Sequence, residues 1–139
     1  MNNIAIISGG GQLPLLVGKS LIKNNFNIIF FVIEEFYNNK YYKNYNIELI
    51  KLNSLKKIIN LLDKHKINNI IMLGKVNRPS LNEIKFDLET IGFIKNYFLE
   101  NKGDNKLLTS IEKYFNKKGF PLFNWPIYCK ELFADKKYL

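Results

Sequence analysis

Two short segments of the chain concentrate residue types that hold anions. In Gly9-Gly10-Gly11-Gln12-Leu13-Pro14 the glycines allow backbone N–H groups to come close to a negatively charged group. A helix starting just beyond them adds the favourable end of its dipole. In Gly74-Lys75-Val76-Asn77-Arg78-Pro79 stands Arg78, the single arginine among 21 basic residues. A guanidinium offers a fixed fork of donors to phosphate or carboxylate that an ammonium does not reproduce, and Lys75 adds a second positive charge. A third segment, Gly103-Asp104-Asn105, precedes an apolar-periodic run. There Asp104 reads either as a helix N-cap or as a polar contact to a ligand. Each segment also has a purely structural reading: a strand-to-helix turn for the first, a helix cap or interdomain salt bridge for Arg78.

The elements that would position these segments alternate. Buried strands are expected at Ile4 to Ser8, Ile28 to Ile33, Ile47 to Leu52 and Ile70 to Leu73, each dense in β-branched or aromatic residues. Helices are expected from Leu13 to about Asn24, with Pro14 in the first turn, and after Ser54, where Leu55, Ile58, Ile59 and Leu62 share one face. Two more are expected over 87–100 and 105–118, the second ended by Gly119. Residues 34–46 read as a loop or short helix, 120–123 as a last short strand, and the stretch after Pro126 as a helical turn. Strands alternating with helices imply a mainly parallel sheet covered on both faces. Ligands of such sheets bind beyond the carboxyl ends of the strands, so Gly9 to Gln12 and Gly74 to Arg78 should share one rim.

Composition narrows the partners. The formal charge is +9 with 47% hydrophobic residues, a globular balance, and the length suits one domain. The basic residues are lysines, Arg78 aside, spread along the chain among many asparagines, as at tolerant surface positions in an AT-rich gene. No finger, RNP-like or helix-turn-helix pattern accompanies them, so no nucleic-acid partner is expected. One cysteine, Cys129, rules out an internal disulfide and fits a reducing compartment. The longest apolar run, Ile28 to Ile33, is too short to cross a bilayer, and no secretory signal is read at the start. The expected location is the cytoplasm.

Several residues are assigned bland roles. His65 reads as a solvated surface residue, Cys129 as half-buried filler, and Tyr37, Tyr41, Tyr42 and Tyr45 as loop packing. Ile91, Phe93, Ile94, Tyr97 and Phe98 form a stripe suited to core or interface packing, with an acyl chain as the alternative. No metal-ligand cluster, P-loop, Ser-His-Asp arrangement or carboxylate pair can be assembled. The nearest generic motif to the first segment is the dinucleotide fingerprint, with Gly9 and Gly11 in its first two glycine places and Pro14 in the third. Glu34 and Glu35, at the end of the second strand, stand where a ribose-binding acid would lie.

In this order and spacing the three segments resemble the N-terminal domain of the LpxI family. The family's Gly-Ser-Gly-Gln-Leu-Pro turn is matched by Gly9, Gly11, Gln12, Leu13 and Pro14, with Gly10 where serine is usual. Its Gly-Lys-Val-x-Arg-Pro segment is matched by Gly74, Lys75, Val76, Arg78 and Pro79. Its Gly-Asp-Asp is matched by Gly103 and Asp104, with Asn105 in the last place. The resemblance covers essentially the whole chain.

What it implies is a Rossmann-like, three-layer α/β domain with a mainly parallel sheet, over residues 1–134. It also implies an enzyme that splits UDP-2,3-diacylglucosamine into lipid X and UMP during lipid A synthesis in Gram-negative bacteria. Water would attack the α-phosphorus with the help of a divalent metal, usually Mg2+. The aspartate regarded as catalytic belongs to a second, C-terminal domain. Residues 135–139 fall about where the interdomain segment would begin, so that catalytic half is expected to be absent here and supplied in cis or in trans. The substrate-binding residues expected on this chain are Gly9, Gly10, Gly11, Gln12, Leu13, Gly74, Lys75, Arg78 and Asp104, with no catalytic residue and no metal ligand among them. A nucleotide-binding module using Glu34 or Glu35, and a decayed remnant without a ligand, remain as alternatives.

Overall fold

The computed structural model describes residues 2–52, 54–75 and 104–133, the last helix up to residue 110 by its backbone alone. Four strands, β1 (Asn3–Ser8), β2 (Asn27–Ile33), β3 (Ile47–Ile50) and β4 (Asn69–Leu73), form one sheet in the order β3-β2-β1-β4. Every pairing is parallel, with Ser8 at the end of β1 level with Val32 on one side and Leu73 on the other. Among the described residues four helices accompany them: α1 (Leu13–Lys23), the single turn α2 (Asn39–Tyr42), α3 (Leu55–Lys64) and α4 (Asp104–Lys117). The expected helix over 87–100 lies outside the described residues.

β1 and β2 form where continuous apolar runs leave neither face to water, whereas the edge strand β3 keeps Leu49 exposed. Alternate residues then feed two cores. Ala5, Ile7, Ile29, Phe31 and Ile70 meet Leu55, Ile58 and Leu62 of α3 and Ile111 and Phe115 of α4. Ile4, Ile6, Ile28, Phe30 and Ile71 meet Val17 and Leu21 of α1, Tyr42 of α2 and Cys129. The result is a three-layer α/β domain with a Rossmann-like parallel sheet.

The caps are local. Ser54 accepts a hydrogen bond from the Lys57 amide at the start of α3, and Asn38 accepts one from the Lys40 amide at the start of α2. Gly119, at φ +97°, follows the end of α4.

Residues 34–46 form a 3₁₀ turn at Glu34–Phe36 followed by α2, in line with the expected loop or short helix. Other expectations are corrected. The short strand expected over 120–123 reduces to a bridge, in which the Ile70 amide donates to Pro121 and the Phe123 amide donates to Ile70. His65 is not a solvated surface group: its Nε2 lies 2.5 Å from Glu48 Oε2, and both side chains are about three-quarters buried. Cys129 is fully buried rather than half-buried. Nor are all the asparagines free surface positions. Asn27 donates to Asn3, Asn3 donates to the Lys66 carbonyl, and Asn68 accepts from the Asn3 amide, closing the amino-terminal rim of the sheet.

Candidate functional site

After β1 the chain moves out through β2 to β3, then returns to place β4 on the other side of β1. This reversal of strand order opens a crevice at the carboxyl ends of β1 and β4, the usual ligand position in open parallel sheets. Gly9 to Gln12 leave β1 there, and Gly74 and Lys75 leave β4 there. The two turns are joined. The Gly10 amide donates to the Lys75 carbonyl at 2.8 Å, the Lys75 amide donates to the Gly10 carbonyl at 2.9 Å, and the Gly9 amide donates to the Leu73 carbonyl at 2.9 Å.

The join requires glycine on both sides. A Cβ on Gly9 would collide with the Lys75 carbonyl, and one on Gly74 would lie 2.8 Å from the Gly10 carbonyl oxygen. Gly74 also adopts φ +94°, which other residues rarely take. The first segment and the described start of the second, Gly74 and Lys75, therefore occupy one rim, as expected, while residues 76–78 lie outside the described residues.

Their division of labour differs from the expectation. The Gly9 and Gly10 amides are spent on β4 and its turn, so they do not point at a ligand. The donors that remain lie farther along. Gln12 stands at the N-cap of α1 without a capping side chain. Among the described residues the amides of Gln12, Leu13 and Leu15 meet no acceptor, and Pro14 has no amide to satisfy. Gly11, Gln12 and Lys75 are exposed and Leu13 is partly so.

Beside this turn lies a groove of about 470 Å³ lined by Gly10, Gly11, Gln12, Leu15, Leu16, Lys19, Phe36, Asn38, Tyr41 and Tyr42. Its outer wall is the 3₁₀ turn and α2 that follow β2. Tyr42 is buried and its hydroxyl shares a hydrogen bond with Ser8, itself buried at the end of β1. Burial pushes the Tyr42 hydroxyl pKa up, and the Ser8 bond partly offsets that. Tyr42 also packs edge-on to Phe30 and stacks on Tyr37, while Tyr45 meets Phe30 edge-on. Three of the four tyrosines are thus packing residues, as read from sequence. Tyr41 is not: 52% of it is exposed, on the groove.

Phe36 was not singled out by sequence. A Cβ on Gly10 would lie 2.8 Å from its Cδ1, so the ring fills the volume that a side chain at position 10 would need. The available signal was an aromatic residue three positions beyond a buried strand.

Neither Glu34 nor Glu35 lines the groove, and Glu34 pairs with Lys51 at 3.7 Å on the surface. Arg78, with Val76, Asn77, Pro79 and Gly103, lies outside the described residues. Asp104 is the first residue of α4, described by its backbone alone. Among the described residues no three His, Cys, Asp or Glu side chains come together as a metal site, and no helix is long and apolar enough to cross a membrane.

Comparison with known proteins agrees with this geometry. Residues 3–132 match the family model described as the LpxI N-terminal domain. A stretch of Protein Ycf2 from Marchantia polymorpha is 28% identical over 130 residues, covering 85% of this chain but 6% of that much longer protein; so partial a likeness carries no functional argument. With the family match spanning nearly the whole of the sequence, the chain belongs to the LpxI family, as its N-terminal domain.

Proposed function

We propose that this chain is the substrate-binding domain of a UDP-2,3-diacylglucosamine pyrophosphatase, acting in the hydrolysis that yields lipid X and UMP for lipid A synthesis. The observation that carries the reading is the paired bridge between Gly10 and Lys75 at the strand-order reversal. It fixes an anion-favouring turn and a basic turn side by side. In this reading the Gln12 and Leu13 amides and the Lys75 ammonium hold the pyrophosphate, with Arg78 and Asp104 completing the hold. Charge-assisted hydrogen bonds of this kind orient a phosphate more firmly than neutral ones.

In this reading the metal and the catalytic aspartate belong to a second domain, in cis or in trans, as the family resemblance implies, and the role of this chain is to bind and orient. The reading places the protein in the cytoplasm, with its lipid substrate met at the inner membrane surface.

Thermal unfolding with candidate ligands tests it, because a ligand that binds only the folded state raises the melting temperature. UDP-2,3-diacylglucosamine should raise it and NAD should not. A rise with NAD alone would mean a dinucleotide module instead.

A further inference from the structure

Resting on that reading, we infer that the groove between α1 and α2 is the nucleoside subsite, taking the uridine 5′-phosphate part of the substrate and leaving its acyl chains elsewhere. The groove begins at the turn that would hold the pyrophosphate and runs away from it along α1. Whatever is joined to that pyrophosphate can enter it directly.

Its lining suits a flat, polar-edged ring. Phe36 and Tyr41 supply aromatic surface, and the exposed ring of Tyr41 leaves room for a base to lie against it. Asn38 uses its side-chain oxygen to cap α2, which leaves its NH2 group to donate to a base carbonyl or ribose hydroxyl.

The charge is one-sided. Lys19 lines the groove, Lys40 sits 6.0 Å from the centre of the Tyr41 ring, and no carboxylate lines it. Neither lysine pairs with a carboxylate among the described residues. An acyl chain would use neither these charges nor the Asn38 amide, and they would lose hydration beside it. A dinucleotide's adenosine ribose would call for an acid on the groove, and Glu34 and Glu35 stand off it.

The test is calorimetric titration of the full 139-residue chain with UMP, uridine, lipid X and UDP-2,3-diacylglucosamine. UMP should bind saturably. Tyr41→Ala, at an exposed position, should weaken UMP and uridine about tenfold, the loss expected for one stacked ring, and leave lipid X unchanged. Lys19→Ala should weaken UMP but not uridine. If UDP-2,3-diacylglucosamine binds and neither substitution alters UMP binding, the subsite is overturned while the proposed function stands. Loss of lipid X binding in Tyr41→Ala with UMP unaffected would assign the groove to an acyl chain and overturn it equally. If the wild-type chain binds neither UMP nor the UDP-lipid, the proposed function falls as well.

Discussion

Gly10 and Lys75, on turns 65 residues apart, exchange both of their backbone hydrogen bonds, at 2.8 and 2.9 Å. The two distinctive turns thus behave as one unit, and a change in either should be felt in both. Gly9→Ala places a methyl group against the Lys75 carbonyl, and Gly74→Ala adds an unfavourable φ to a similar clash. Each should cost about 1–3 kcal/mol, or several degrees in melting temperature. Gly11→Ala meets no neighbouring atom within 4 Å, although φ is +93°. It should cost only the conformational part, about 1 kcal/mol. Thermal unfolding of the three variants checks the order, and equal losses would contradict it.

Gly10 and Phe36 form a second coupled pair. The Phe36 ring occupies the space that a side chain at position 10 would need. Gly10→Ser should therefore destabilise this chain, and less so in a Phe36→Leu background. A double-mutant cycle should give a coupling of about 0.5–3 kcal/mol between contacting residues. Additive effects would mean that the ring moves aside freely.

On the far side of α1, Ser20 donates to Glu131 and is itself buried, tying the last 3₁₀ turn to that helix. The Ser20 hydroxyl, then Glu131's own amide, hold the Glu131 carboxyl below the ordinary glutamate range, with Lys23 assisting. A depressed folded-state pKa contributes stability above the unfolded value, about 4.3, and loses it as pH falls through the lower folded value. Wild type should therefore lose stability more steeply than Ser20→Ala as the pH is lowered past about 4. Chemical unfolding between neutral and acid pH measures the two slopes, and parallel slopes would refute the tether.

Cys129 lies beside this tether, fully buried. Burial pushes its thiol pKa up, and the Glu131 charge adds to that, against a hydrogen bond with Ser20. The native chain should resist thiol reagents, since the thiolate is the reactive form, and should label fully once unfolded. Rapid labelling of the native state would contradict the burial.

Much of the fold was legible because parallel strands buried on both faces read as uninterrupted apolar runs. Ile4 to Ser8 and Ile70 to Leu73 fall within one residue of β1 and β4. Partnerships across the chain were not legible. His65 looked solvated because Glu48 lies 17 residues away on another element. The 120–123 segment looked like a strand because its apolar pattern does not reveal that it bridges Ile70 alone. In the site, the glycines were visible but their task was not. Sequence shows that Gly9 and Gly10 have free-ranging backbones; only the return of β4 shows where their amides are spent.

In the proposed function, substrate is held where the Gly11 to Leu13 turn meets Lys75. Amide chemical-shift mapping of the 15N-labelled chain during titration with UDP-2,3-diacylglucosamine tests it most directly. The largest shifts are expected at Gly11, Gln12, Leu13, Leu15 and Lys75, donors or neighbours of the rim. Small shifts are expected at Asn3, Asn27 and Asn68 on the opposite rim. Shifts concentrated on those asparagines, with the glycine turn and Lys75 unmoved, would contradict it.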